Sequence, residues 1–298
     1  MPIQAGLNRF QASDLSVESI YHCAREANDL CISTLATGKI SLMRRLSLTG
    51  LKSRLPLRFR MWLKRCRGAA RRSSVVFNRV TDWSVLRRLQ PYRPDFGFHY
   101  GKCIDRYYIE RFLAAHKDSI RGHVVEIGSD DYIKLFGDAR VEESDVLDID
   151  EHNEKRTLTL DLAQPASAPE NVFDCVLCIQ TLFEIYNHAA ALISLHKMLK
   201  PGGVLLASLP GISQRVRGRM LGGGGTDWWR YTTHSATRMF ADVFGESNVE
   251  VCTYGNVLTA TAFLHGLVAT ELTRAELEYN DPDYEVTIGV KATKPKPR

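Results

Sequence analysis

Glycine is scarce where a nucleotide-binding turn would need it most. The stretch "HVVEIGSDDY", residues 123–132, reads as a buried strand running into such a turn, yet Gly128 is its only glycine. A dinucleotide site needs G-x-G-x-x-G so that backbone can approach a pyrophosphate at a helix N-terminus. That fingerprint is missing, which argues against a nicotinamide dehydrogenase. The run Gly222 to Gly225 lacks the Lys-Ser/Thr of a phosphate-binding P-loop. No apolar run reaches the roughly 18 residues that span a bilayer; the nearest, "VLTATAFLHGLVAT", is shorter and carries His265. The first residues show no charged start followed by an apolar stretch, so no secretory signal is expected and a cytoplasmic location is. Seven cysteines, an odd number without framework spacing, fit reduced thiols. Cys175 and Cys178 lie in a strand-like run, where residues three apart point to opposite faces. They are expected to pack, and no metal site is expected. The chain has neither an internal repeat nor an RNA-binding signature.

Charge is divided unevenly along the 298 residues. Positions 38–93 hold 16 Lys/Arg against one acid, Asp82, leaving 23 Lys/Arg and 33 acids for the remainder, within a net charge of +5. This is the pattern of a basic appendage on an acidic globular body. Residues 1–93 are read as a basic N-terminal extension, partly helical or disordered, and residues 94–298 as the globular domain. In "SLMRRLSLTGLKSRL", Leu42, Leu46, Leu51 and Leu55 fall near one helical face, with Arg44, Arg45 and Lys52 elsewhere, until Pro56 stops the helix. A segment both basic and apolar is suited to the surface of an anionic membrane, which puts peripheral contact at the inner membrane face among the expectations. Nucleic-acid contact is the weaker alternative, and a solubilising extension the plainest one.

Beyond residue 94 the texture changes. Ile104, Tyr108, Ile109, Phe112 and Leu113 form a helical stripe. Short apolar runs then alternate with helical stretches: "HVVEIG", "SDVLDID", "TLTLDL" and "FDCVLCIQTLF" as strands, "AAALISLHKMLKPGG" as a helix closed by Pro201 and Gly202, "VLLASLP" as a strand. "THSATRMFADVFG" is a helix ended by Gly245, and "VEVCTYG" and "YEVTIGVKAT" are late strands. Such alternation predicts an α/β fold, a mostly parallel sheet with helices on both faces. Sheets of this kind bind ligands at the carboxyl ends of their strands, where strand order reverses. Glu126, Asp150 and Asp161 all stand at or near successive strand ends. A carboxylate at the end of the second strand suits the two hydroxyls of a ribose; Asp148 is the rival of Asp150 for that place. Asp130 and Asp131 on the turn would repel a pyrophosphate and suit a phosphate-free, partly cationic ligand, a description that S-adenosylmethionine meets.

"VVEIGSD", "DVLDID", "LDLAQ", "FDCVLCIQTLFEI", "LHKMLKPGGVLLASLPG" and "DWWRYT", in this order, resemble the S-adenosylmethionine-dependent methyltransferases with the seven-stranded Rossmann-like fold. The resemblance is nearest to a bacterial methyltransferase type 11-like group with "IDRYYIE" ahead of the domain and "WR[FY]T" late in it, often found with glycan-modifying genes. It covers roughly residues 95–298. The second and third glycines of the family's first motif are absent here. The resemblance implies S-adenosylmethionine as cofactor, with Glu126 and Gly128 beneath its methionine portion and Asp150 at the ribose. It further implies Asp161 and Leu162 at the adenine, Gln180 after the fourth strand, and Tyr107 closing over the methionine carboxylate with Arg106 nearby.

Methyl transfer from a sulfonium is an in-line displacement that rests largely on alignment, and a hydroxyl acceptor also has to lose its proton. The candidates for that base come from loops over the strand ends: Asp227, His188 and Glu184. Trp229 and Arg230, in "DWWRYT", are the candidates for holding the acceptor. The expected activity is O-methylation of a sugar, a glycan or another small-molecule hydroxyl. The alternative is a non-catalytic binding or adaptor protein that works through its basic arm.

Overall fold

The computed structural model describes residues 87–216 and 226–297. The expectations for the basic arm, apart from residues 87–93, and for the run Gly222 to Gly225 lie outside the described residues. Seven strands form one sheet: β1 (Gly122–Ile127), β2 (Val141–Asp148), β3 (Leu158–Thr159), β4 (Phe173–Ile179), β5 (Leu199–Pro210), β6 (Val249–Tyr254) and β7 (Thr287–Thr293), in the order β3-β2-β1-β4-β5-β7-β6. The pairings β1 with β2 and β4, β2 with β3, and β4 with β5 are parallel, whereas β7 lies antiparallel between β5 and β6. The expected seven-stranded, mostly parallel sheet is therefore present. Strand order reverses between β1 and β4, so a crevice is expected above those two strands at their carboxyl ends.

The helices are α1 (Ile104–Ala115), α2 (Asp131–Phe136), α3 (His188–Met198), α4 (Thr233–Phe244), α5 (Val257–Leu264) and α6 (Arg274–Glu278). The stripe read on α1 is fully buried. Its Phe112 ring lies so near β7 that a Cβ on Gly289 would stand 2.5 Å from it. Strand β4 is apolar on both faces, as a central parallel strand must be. Cys178 belongs to the core on the α3 and α4 face, while Cys175 packs with α1 residues on the other. Helix α4 ends where its sequence says, at Gly245 with φ 84°.

Helix α3 ends earlier than expected. The chain leaves it at Met198, and Leu199 already pairs with Phe173 as the first residue of β5. Pro201 and Gly202 lie within that strand's irregular start, where the register to β4 shifts, rather than capping a helix. Burial of Leu199 and the ion pair of Lys200 with Asp174, at 2.6 Å, draw the segment into the sheet. "TLTLDL" falls short of the strand expected, contributing only Leu158 and Thr159. The apolar stretch after β6 forms helix α5, capped by Asn256.

Candidate functional site

The turn after β1 is organised by a buried carboxylate. Glu126, 1% exposed, accepts hydrogen bonds from the backbone N–H groups of Tyr132 (3.0 Å) and Ile133 (2.9 Å) and from the Ser129 hydroxyl (2.8 Å). These N–H groups open α2 and have no partner within it. Burial pushes the Glu126 carboxyl above its ordinary range, against the downward pull of those bonds. Gly128 follows with φ +83°, and among the described glycines it alone would project an added Cβ into open space, with no atom within 4 Å. Asp130 and Asp131 do not turn toward that space as free charges. Lys155 reaches both, at 3.0 and 2.8 Å, and Lys134 also pairs with Asp130. The reading of these two acids as a cation-binding pair is corrected accordingly.

At the end of β2 the two rival acids separate. Asp148 is the strand's last residue, and its carboxylate accepts from the Asn153 amide at 2.6 Å. The same amide nitrogen donates to the Gly128 carbonyl at 2.8 Å, so Asn153 ties the first turn to the second strand. Asp150 instead accepts from the backbone of His152 at 2.9 Å and shapes its own turn. Asp161 likewise accepts from Ala163 and from the Gln164 amide, and Leu162 is a core residue whose carbonyl receives the Ser194 hydroxyl. Glu126, Asp150 and Asp161 are thus each held by neighbouring groups, as is Asp148, which also accepts the Asp150 N–H at 2.9 Å.

A cavity of about 480 Å³ opens at the ends of β4 and β5. Gln180, Phe183 and Glu184 enter it from the turn after β4, Ser213 and Val216 from the segment after β5, and Cys103, Asp105 and Arg106 from the start of α1. Asp95, Phe96, Phe98 and His99 also line it, and Arg230, Phe263 and Val286 complete most of the remainder. Gln180 sits in the left-handed region at φ +50°, its N–H shared between the Ser208 carbonyl and hydroxyl at 3.1 Å each. A non-glycine residue held there at a strand end is a feature of functional sites. Glu184 is half-buried, and burial, reinforced by the negative charges of Asp227 and Asp148, pushes its carboxyl up to about 7.

Asp227 and His188 are placed less openly. Asp227, with 4% of its side chain exposed, is gripped by Arg230 at 2.5 and 2.7 Å and accepts the Val216 N–H at 2.6 Å. Arg230 continues to the Gln214 carbonyl at 2.7 Å. His188 begins α3 edge-on to Trp229, 5.0 Å between centroids, and burial lowers its pKa. Its Nδ1 is buried without a hydrogen-bond partner among the described residues. Trp229 donates its indole N–H to the Ile185 carbonyl at 3.1 Å and packs on the core, away from the cavity wall. Tyr107 lines a shallow surface groove with Arg274 and Leu277, and not the cavity that Arg106 lines. The basic residue that α1 brings to the cavity is Arg106, 3.3 Å from the Tyr132 hydroxyl.

A family model described as a methyltransferase domain matches residues 100–254, just over half of the chain. The chain belongs to the methyltransferase-domain family. No curated protein matches it. Among solved structures, it is similar to an S-adenosylmethionine-dependent methyltransferase from Archaeoglobus fulgidus (12% identity, 63% of this chain and 94% of that one, TM-score 0.40). It is similar also to the N-methyltransferase NodS of Bradyrhizobium japonicum with bound S-adenosyl-L-homocysteine (11%, 69% and 95%, TM-score 0.40). A third is the Burkholderia thailandensis 1,6-didemethyltoxoflavin-N1-methyltransferase (12%, 67% and 81%, TM-score 0.41).

The methyl donor of this methyltransferase is S-adenosylmethionine. The residues present fit it. The unfilled space over Gly128 admits a ligand against the backbone, and an acid stands at the end of β2 beside that glycine. The cavity at the ends of β4 and β5 presents a guanidinium, Arg106, and a carboxylate, Glu184. Sequence reasoning named Arg106 only as a neighbour of Tyr107, and missed Asn153 and the segment Asp95–His99. The two aspartates two apart were the only signal for Asp148.

Proposed function

We propose that this methyltransferase transfers a methyl group to a hydroxyl of a small molecule, a sugar included, with Glu184 as the general base. The observation that carries the reading is Glu184 itself. It lines the cavity, no described residue hydrogen-bonds its carboxylate, and its proton is poised near neutral pH. A base is most effective when its pKa lies near the working pH. Asp227, the rival, is already saturated by Arg230 and the Val216 N–H.

When bound, S-adenosylmethionine supplies a methyl group on a sulfonium, an electrophile with a good leaving group. Asp148 accepts the ribose hydroxyls in place of Asp150, supported by its position at the strand end and its link through Asn153 to Gly128. Arg106 holds the methionine carboxylate, and Asp161 and Leu162 flank the adenine. The charges of Asp148, Glu184 and Asp227 favour a cation between them. Glu184 takes the acceptor proton as the oxygen attacks, and Phe183 and Phe263 exclude water from the approach.

The basic stretch 38–93 is proposed as a separate unit that holds the enzyme at an anionic membrane face, a reading supported by its 16 cations interleaved with leucines. Transfer of labelled methyl from S-adenosylmethionine to a panel of hydroxyl acceptors tests the central reading. It requires activity in wild type and a loss of about a hundredfold or more in Glu184→Gln.

A further inference from the structure

The acceptor cavity is lopsided in charge. Asp95, Asp105 and Glu184 line it against two guanidinia, Arg106 and Arg230. Two more carboxylates, Asp227 and Asp148, act on Glu184 from just outside. Arg230 has no capacity left for a ligand anion, since its terminal nitrogens bond Asp227 twice and the carbonyls of Trp229 and Gln214 at 2.8 and 2.7 Å. Arg106 stands between Asp105, 3.9 Å away, and the Tyr132 hydroxyl, and in the methyl-transfer reading it faces the donor. Among the described residues no other Lys or Arg lines the cavity. Burial holds the Asp105 carboxyl above its ordinary range and Glu184 at about 7, so the field on the acceptor side rests on Asp95.

The segment over that space is held in place against its own preferences. Asp95 and Phe96 adopt φ 53° and 58°, consecutive left-handed non-glycine residues, each at a cost of about 1–3 kcal/mol. Phe96 stacks on Phe263 of α5 at 5.2 Å. Gly97 lies against α5's end so closely that a Cβ would stand 2.1 Å from the Gly266 carbonyl oxygen. Arg93 pins the start of the segment through Glu271, at 2.5 and 3.0 Å, and through the His265 carbonyl at 3.1 Å. The result sets a carboxylate, Asp95, and a phenyl ring side by side in the wall of a cavity that Phe98, Phe183 and Phe263 also line. Carboxylate and aromatic faces together bind ammonium groups, by ion pairing and by attraction to the ring quadrupole.

Resting on the methyl-transfer reading, we infer that the acceptor carries a protonated amino group as well as the hydroxyl that is methylated, and that Asp95, backed by Phe96 and Phe263, is the residue that selects it. Phosphorylated and carboxylated acceptors are excluded by the same field. Asp95 is thus a specificity-determining residue, and Glu184 remains the base.

The test is calorimetric titration of the full chain, saturated with S-adenosylhomocysteine, with probes that differ only in charge. Tyramine, 4-ethylphenol and 4-hydroxyphenylacetate make one series, and glucosamine, glucose and glucuronate the other. In at least one series the ammonium probe is expected to bind about tenfold or more tightly than the neutral one, with the carboxylate weakest. Asp95→Asn, which keeps a residue tolerant of the left-handed region, is expected to reduce that preference to less than about threefold while leaving S-adenosylhomocysteine affinity unchanged. The inference is overturned if neutral or anionic probes bind as well as ammonium ones in both series, if no ammonium probe binds at millimolar concentration, or if Asp95→Asn keeps the preference. Absence of S-adenosylhomocysteine binding would overturn the methyl-transfer reading and this inference with it, an outcome distinguishable from the others.

Discussion

Arg230 grips Asp227 through two terminal nitrogens at 2.5 and 2.7 Å, and Asp227 in turn holds the Val216 N–H. The pair joins the segment that leaves β5 to the segment that enters α4. Removing one member of a buried pair strands the other, and about 2–3 kcal/mol is expected for a guanidinium that keeps some exposure. Asp227→Asn should therefore lower the unfolding midpoint by about 5–10 °C in a domain of this size. Affinity for S-adenosylhomocysteine should stay within about threefold of wild type. Differential scanning calorimetry and a binding titration check both. A wild-type midpoint combined with abolished turnover would return the role of base to Asp227.

Glu184 links activity to pH. As a base with a pKa of about 7, it should make the acceptor-saturated rate fall about tenfold per unit below that value and level off above it. Its effect on stability has the opposite sense. The ordinary carboxyl value is 4.5, so between there and about 7 the folded chain keeps a proton that the unfolded chain has released. Stability contributed by that proton is present at low pH and lost as pH rises through the window. Glu184→Gln should consequently be inactive yet more stable at pH 8 by about 1 kcal/mol, solvent screening at a partly exposed group reducing the full effect, a gain that vanishes below about pH 4.5. Urea titrations at the two pH values measure it.

Gly128→Ala separates fold from site. The added methyl meets no protein atom within 4 Å, so the stability cost is that of a left-handed alanine, about 1 kcal/mol. If the open space is the donor's, the same methyl should weaken S-adenosylhomocysteine by about tenfold or more. An unchanged affinity would place the donor elsewhere.

Much of this was legible in the residues. The strand and helix alternation was sufficient for the parallel sheet, because each buried run reports its own environment, and Gly245 and the α1 stripe fell where their patterns put them. Acids at strand ends were legible as such: Asp148 closes β2, and Glu184 stands on the turn after β4 in the cavity wall. Position at a strand end was visible; occupancy was not. Glu126 is consumed by the first turn of α2, and Asp130 and Asp131 by Lys155, which comes close only when the chain folds. Nothing local in "DVLDID" distinguishes Asp148 from Asp150 until strand register decides which one faces Asn153. The segment Asp95–His99 carries no motif, since its role depends on the glycine-on-glycine approach of Gly97 to Gly266, which are distant in sequence.

Titration of S-adenosylhomocysteine into wild type, Asp148→Asn and Asp150→Asn tests the central claim most directly. Saturable binding by wild type is expected, with a loss of about 2 kcal/mol or more, roughly thirtyfold, in Asp148→Asn and less than about threefold in Asp150→Asn. A folded wild-type protein that binds no S-adenosylhomocysteine, or one whose affinity is indifferent to Asp148, would contradict it.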